Sequence, residues 1–282
     1  MTTALFPINE ATRERLAGAP LLVMLDVDGT LAPIAPRPDQ AEVPAETSQL
    51  VAALAARPRV VVALVSGRAA SDARRMVRVS NTWVIGNHGY EIVSPEGESL
   101  VDPQVEPYRA LVAQAGRRLA PRLAPVPGVI FEDKHWTLTI HYRLADPAVV
   151  PRVRTLVEET AQACSLRLTE GKMVFELRPP AHVDKGTAIL TLATRLHGLD
   201  DGASLIFIGD DRTDEDAFRA LRLRQRAAIT VRVAPDESTG TVAEFSVADP
   251  AEVQQFLEWL LAERGSAVRR AGRGRPTGGV RG

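Results

Sequence analysis

Hydrophobic positions follow two different patterns along this chain. In the first, short apolar runs stand unbroken: Leu21–Leu25, Val60–Val65 and, opened by a single serine, Ser204–Ile208. Runs of this length without alternation fit strands buried on both faces, as in parallel sheets. Helical stretches stand between them. Ala45–Ala56 places Leu50, Val51 and Leu54 on one face, Ala69–Val77 follows the second run, and Thr187–His197 precedes the third. Trp83–Ile85, Ile229–Val233 and Ser246–Val247 are further strand candidates. Glu10–Ala17 reads as a short helix, and Glu252–Ala262 closes as a helix with Val253, Phe256, Leu257, Leu260 and Leu261 on one face. Alternating strand and helix predict an α/β fold, a doubly wound, Rossmann-like parallel sheet.

From Asp102 the pattern changes. A helix over Pro107–Leu119 leads to a Pro-rich joint, Pro121 to Pro127. Strands follow at Val129–Glu132 and Trp136–Arg143, where Trp136, Leu138, Ile140 and Tyr142 alternate with Thr137, Thr139, His141 and Arg143. Period 2 means a half-buried sheet. A helix over Pro147–Ala163 comes next, then Leu166–Thr169 and Lys172–Leu177 pairing across Glu170-Gly171. Met173, Phe175 and Leu177 are expected to face the apolar side, and Lys172, Val174 and Glu176 the other. The expected organisation is a core in two parts, 1–101 and 179–263, an inserted α+β module at 102–178, and a disordered Gly/Arg-rich tail at 264–282.

The polar residues that interrupt the first pattern carry the chemistry. Leu21–Leu25 runs into Asp26, Val27, Asp28, Gly29 and Thr30. Two carboxylates at i and i+2 beside a core are costly unless a cation meets them, and Mg²⁺ takes such hard oxygen ligands together with a substrate phosphate. Val60–Val65 ends at Ser66, Gly67 and Arg68. Ser66 is either a helix N-cap or part of a phosphate cradle. Trp83–Ile85 ends at Gly86-Asn87-His88-Gly89, and His88 is either a turn residue or a substrate contact. Lys185 stands at a helix entry, where it can balance carboxylates and phosphate. Ser204–Ile208 ends in GDDRTDED, a second acidic cluster holding Asp210, Asp211 and Asp214. Some of these carboxylates also suit a helix N-terminus. Strand ends of this kind share one edge of a doubly wound sheet, where ligands bind.

D-V-D-G-T-L, S-G-R, V-D-K-G and G-D-D occur in the order of the haloacid dehalogenase superfamily motifs, which the chain resembles over about residues 20–262. The resemblance implies that Asp26 is the nucleophile, Asp28 the general acid and base, and Ser66 and Lys185 phosphate-stabilising residues. It implies Mg²⁺ held by Asp26, the Asp28 carbonyl and Asp210, with Asp211 and Asp214 behind them. Within the superfamily, N-H-G-Y-E, E-D-K, I-H-Y-R and K-M-V-F-E resemble the trehalose-6-phosphate phosphatase family. That implies a sugar-phosphate substrate bound by Gly67, Arg68, His88 and the cap residues Glu132, Lys134, Arg143, Lys172 and Glu176. A bare charged sheet face is the alternative for the last group. Asn87 departs from the glutamate usual in that family. Rival readings are a phosphatase of sucrose phosphate or mannosyl phosphoglycerate, and a non-catalytic sugar-phosphate sensor or synthase partner. Association with a trehalose-phosphate synthase is left open.

Composition removes some alternatives. A net charge of −1 gives no basis for binding nucleic acid or a membrane surface. The G-R-G-R-P in the tail resembles the core of an AT-hook, but a solvated tail is the expected reading. Apolar runs are too short to span a membrane. The N-terminus lacks a signal-peptide pattern, and Cys164 as sole cysteine fits a reducing compartment, so a cytoplasmic protein is expected.

Overall fold

The computed structural model describes residues 2–35, 40–171, 173–225, 227–235 and 240–273, with side chains of the last helix described as far as residue 265. In chain order the elements begin with β1 (Thr3–Ala4), α1 (Glu10–Arg15), β2 (Leu21–Asp26), α2 (Ala45–Ala55), β3 (Val60–Val65), α3 (Ala70–Val77) and β4 (Trp83–Gly86). They continue with β5 (Glu91–Val93), β6 (Ser99–Val101), α4 (Arg109–Leu123), β7 (Ile130–Asp133), β8 (Leu138–His141), α5 (Val150–Ala163), β9 (Arg167–Gly171) and β10 (Val174–Arg178). The last are α6 (Lys185–Arg195), β11 (Ser204–Gly209), α7 (Arg212–Arg224), β12 (Ile229–Val233), β13 (Phe245–Val247) and α8 (Pro250–Arg273).

A nine-stranded sheet has the order β1-β13-β12-β11-β2-β3-β4-β5-β6. Pairing is parallel from β1 to β4 and antiparallel at β5 and β6. The unbroken apolar run of β2 is explained by its position, since all six of its residues are buried. Leu21, Val23 and Leu25 pack with Val62, Leu64, Ile206 and the α8 residues Phe256 and Leu257. Leu22 and Met24 pack on the other face with Phe207, Ile189, Leu192 and Phe218. A strand filling two cores leaves no polar position until its end, so Asp26 and its neighbours project from the carboxyl edge.

The second sheet, β7-β8-β10-β9, is antiparallel throughout. Leu138, Ile140, Phe175 and Leu177 pack beneath α4 and α5 against Val112, Leu119, Val153 and Val157. On the opposite face Glu132 pairs with Thr139, and Thr139 with Glu176, which fixes the register across three strands.

Several elements differ from the expected ones. The strands β1, β5 and β6 were not anticipated; they are two or three residues long and lie at the sheet margins. The first helix of the inserted module runs through Pro121 to Leu123, because Leu119 and Leu123 continue its buried stripe. Proline there removes a bond to the Arg117 carbonyl, and Arg117 is exposed, where water can serve it. The β9–β10 hairpin closes at the Gly171–Val174 pair rather than at 170–171. Met173 takes φ +65 and is 43% exposed, so it leaves the apolar face assigned to it. Helix α6 starts at Lys185, two residues early, because Asp184 and Thr187 form a capping box. Helix α8 continues to Arg273 instead of ending at Ala262, and residues 274–282 of the expected tail lie outside the described residues. Among the described residues, no helix is long and apolar enough to cross a membrane.

Candidate active site

The carboxyl ends of β2, β3, β4 and β11 converge beneath the polar face of the second sheet. Between them lies a cavity of about 850 Å³. Asp26, Asp28, Gly67, Arg68, His88, Lys185 and Asp211 form its floor, and Glu132, Lys134, His141 and Arg143 contribute from the second sheet.

Lys185 organises the acidic side. It is 1% exposed, and its Nζ donates to Asp26 Oδ1 at 2.8 Å and to Asp214 Oδ1 at 2.7 Å. Burial opposes its charge, but Asp214 and Asp26 more than offset this and hold its pKa well above the usual lysine value. Burial lifts Asp26 well above the usual carboxylate range, against the pull of Lys185 and with the help of the Asp214, Asp211 and Asp210 charges. Asp210 is pushed up to about 7 and Asp214 to about 6, in both cases first by burial. Asp211 also pays for burial, but Lys185 and the donors at the start of α7 draw it below the usual value. It is the N-cap of α7, accepting from the Thr213 and Asp214 amides, while Asp214 Oδ2 accepts from the Asp211 amide. These two residues therefore combine the alternatives of helix cap and site charge.

The donor set fits a divalent cation. Asp26, Asp210 and Asp214 can bring one carboxylate oxygen each within 4.8 Å of one another. Asp26 Oδ2 and Asp210 Oδ1 are buried without hydrogen-bond partners. Two such oxygens in a protein interior are costly unless something cationic binds them. Gly29 shapes this corner. Its φ is +85, and a Cβ there would lie 2.1 Å from Asp210 Oδ2.

Asp28 sits on the other side of Asp26, with both oxygens engaged by Arg68: Nε donates to Oδ2 and the terminal nitrogen to Oδ1, each at 2.6 Å. Ser66 is 1% exposed and its Oγ accepts from the Arg68 amide at 3.1 Å. It does not cap α3, whose N-cap is Ala69. A Cβ on Gly67 would sit 2.4 Å from His88 Cε1, so the missing side chain lets His88 pack against the Ser66-Gly67-Arg68 turn. Burial, then Arg178, Lys185 and Lys134, depress the His88 pKa well below its usual value, which keeps the ring neutral.

The second sheet brings its residues together unequally. Lys134 Nζ donates to the Gly67 carbonyl at 3.3 Å and lies 3.9 Å from Glu132. Glu132 is 2.8 Å from His141 Nε2. Arg143 is exposed at the wall. Glu176 is only 6% exposed and is paired with Arg178, with its Oε1 3.8 Å from His88 Nε2, so it lies behind the wall that it was expected to form. Lys172 lies outside the described residues. Sequence reasoning missed His141 and Arg178 as partners, although the period-2 pattern places each on the face of its acid. It also missed Asn87 as a contact of the second sheet, for which a buried loop residue offers no pattern.

A family model described as trehalose-phosphatase matches residues 24–251. A trehalose-phosphate phosphatase of Mycobacterium avium is 36% identical over 255 residues, covering 89% of this chain and 65% of that protein. An uncharacterized glycosyl hydrolase of Mycobacterium tuberculosis is 36% identical over 256 residues, which are 90% of this chain and 19% of that protein. The chain thus spans about two-thirds of the one relative and a fifth of the other. A solved structure titled as a trehalose-6-phosphate phosphatase related protein superposes with a TM-score of 0.74 at 26% identity, covering 88% of this chain and 99% of that one.

Proposed function

The chain belongs to the trehalose-phosphatase family, and from that premise we propose that it hydrolyses trehalose 6-phosphate to trehalose and inorganic phosphate. One observation carries the reading. Asp26 presents a buried, unpartnered Oδ2 beside Lys185, at the floor of a cavity whose opposite wall is a polar sheet. A buried carboxylate oxygen without a donor retains a lone pair for attack.

In the proposed reaction Asp26 attacks phosphorus, the bond from phosphorus to the sugar oxygen breaks, and that oxygen takes a proton from Asp28. Water then attacks the aspartyl phosphate, gives its proton to Asp28, and releases phosphate with Asp26 restored. Lys185 holds the unreactive Asp26 oxygen and supplies positive charge. Arg68 keeps Asp28 oriented by holding both of its oxygens, so Arg68 must release one of them before Asp28 can reach the leaving oxygen. The phosphate dianion of the substrate is the competing partner for that guanidinium. Asp26 and Asp210, with the Asp28 carbonyl, would hold Mg²⁺, which when bound there supplies charge neutralisation at the phosphoryl oxygens. Ser66 adds a hydroxyl at the same edge. The second module, as a cap over the cleft, presents Glu132, Lys134 and Arg143 to the sugar hydroxyls, where polar groups discriminate steeply.

The test is phosphate release from trehalose 6-phosphate, sucrose phosphate, mannosyl phosphoglycerate, glucose 6-phosphate and an aryl phosphate, with Mg²⁺ and with EDTA. A kcat/KM for trehalose 6-phosphate about tenfold or more above the others, lost in EDTA, is expected. Equal rates on all esters, or none on any, would defeat the reading.

A further inference from the structure

Asn87 is 0% exposed, in the loop between β4 and β5, and its side chain reaches out of the main sheet's unit into the second module. Its Nδ2 donates to the Lys134 carbonyl at 3.1 Å and to Glu91 Oε1 at 2.8 Å. Its Oδ1 accepts from Thr137 Oγ1 at 3.4 Å. Glu91 Oε1 in turn accepts from the Ala70 amide at the start of α3, at 2.7 Å. The Asn87 backbone amide donates to the Arg68 carbonyl at 2.7 Å. One residue therefore touches both cation-bearing walls of the cleft: the Arg68 loop below and the Lys134 turn above.

An asparagine at φ +50 has a plain backbone reason to be there, because this residue type tolerates the left-handed region. That reason does not account for the side chain. Only an amide can donate to a carbonyl and a carboxylate while accepting from a hydroxyl, and a glutamate here could not donate to the Lys134 carbonyl. The junction is buried and shared: Asn87 binds the Thr137 hydroxyl, and it joins the Trp136 amide on the Lys134 carbonyl and the Ala70 amide on Glu91 Oε1.

The geometry points to Asn87 as a positioning residue for substrate recognition: it fixes the main chain of Lys134 and thereby places the Lys134 ammonium over the Gly67 carbonyl, where the sugar phosphate binds. This rests on the phosphatase reading. Asn87 touches no reacting atom and acts through Lys134.

The test is a double-mutant cycle on the full chain with trehalose 6-phosphate. Asn87→Asp keeps the shape, removes the donor and sets a carboxylate against Glu91 and the Lys134 carbonyl. It is expected to lower kcat/KM about tenfold through KM, with kcat little changed. Lys134→Ala is expected to do the same. The double variant should fall no more than about threefold below either single one, because residues acting through one interaction are not additive. Independent effects, multiplying to about a hundredfold, would overturn the assignment, as would an unchanged KM in Asn87→Asp. If Asn87→Asp does not fold, Thr137→Val removes the other bond to the side chain and is read against Lys134→Ala by the same criterion. Unmodified protein that hydrolyses no sugar phosphate would instead overturn the phosphatase reading and take this role with it.

Discussion

Arg68 grips both oxygens of Asp28 at 2.6 Å, while Asp26, two residues earlier, leaves one oxygen without any partner. The two carboxylates of the D-x-D motif are thus in opposite states, one fully engaged and one open. Asp28→Asn should slow a sugar phosphate about 10²–10⁴-fold, the usual scale of general acid catalysis. An aryl phosphate, whose leaving group needs little protonation, should lose far less. Arg68→Ala should weaken both substrates, because it meets the phosphate they share, and the sugar phosphate further, because Asp28 loses its support. Steady-state kinetics on the two substrates decide this, and equal losses in Asp28→Asn would remove Asp28 from the acid role.

Asp26→Asn removes the attacking oxygen with almost no change in volume. Turnover should fall below detection, while trehalose 6-phosphate still raises the melting temperature of the variant. Residual activity above a few per cent would mean that covalent attack does not occur at this residue.

The unpartnered oxygen of Asp210 has a consequence for stability. Its pKa is raised from 3.8 to about 7 by burial and by Asp214 and Asp211. A carboxyl raised on folding binds more protons in the native than in the unfolded state between those values. Its contribution is therefore complete below about pH 4 and is lost as pH rises towards 7. Asparagine imitates the protonated form. Without divalent cation, Asp210→Asn should melt above the unmodified protein at pH 8, with the gap closing towards pH 4. Added Mg²⁺ should reverse the order at pH 8 by stabilising only the protein that can bind it. Thermal melts at three pH values, with and without Mg²⁺, suffice, and an Asp210→Asn protein less stable than the parent in EDTA at pH 8 would contradict the argument.

Much of this site was legible because buried parallel strands have to stop at their polar ends. Leu21–Leu25, Val60–Val65 and Leu205–Ile208 admit no polar residue, so Asp26, Ser66 and Asp210 mark the same edge without any knowledge of loop geometry. The face of the second sheet was legible in part for the same kind of reason: period 2 puts Thr139 and Glu176 on the polar side, where they pair, but it does not fix the register of Glu132 and Lys134 near the turn, and it is the strand pairing that sets Glu132 opposite Thr139. Depth was not legible. Alternation says which side Glu176 faces but not that Arg178 and His88 close over it. The positive φ of Met173 ends the alternation at a hairpin whose closing pair depends on register. The Asn87 contacts and the Arg68 grip on Asp28 were beyond pattern altogether, since each is made to a partner in another element.

Gly29 tests how tightly the acidic corner is built. An alanine at φ +85 is strained, and its Cβ would lie 2.1 Å from Asp210 Oδ2, so the carboxylate must move. Gly29→Ala should raise the Mg²⁺ concentration for half-maximal activity by about 10–100-fold, the usual effect of disturbing the support of a metal ligand. Saturating Mg²⁺ should recover part of kcat. An unchanged Mg²⁺ requirement would show that Asp210 is not a ligand in the working protein.

In the proposed reaction the wall formed by the second sheet selects the sugar, and the structure separates its two acids. Glu132 is partly exposed in the cavity and faces His141 and Lys134, whereas Glu176 is buried and paired with Arg178. Removing Glu132 is therefore expected to cost the substrate a hydrogen-bond acceptor. Removing Glu176 leaves Arg178 and His88 without their acid, and truncating one member of a buried pair is costly to the fold. Glu132→Ala should lower kcat/KM for trehalose 6-phosphate at least tenfold, about 1.4 kcal/mol of transition-state binding, with a melting temperature near that of the parent. Glu176→Ala should lower the melting temperature and weaken trehalose 6-phosphate and an aryl phosphate together. Melting curves and kinetics on both substrates distinguish the two. A Glu176→Ala protein that melts normally yet loses only the disaccharide substrate would mean that Glu176 turns to the sugar when the cleft is filled.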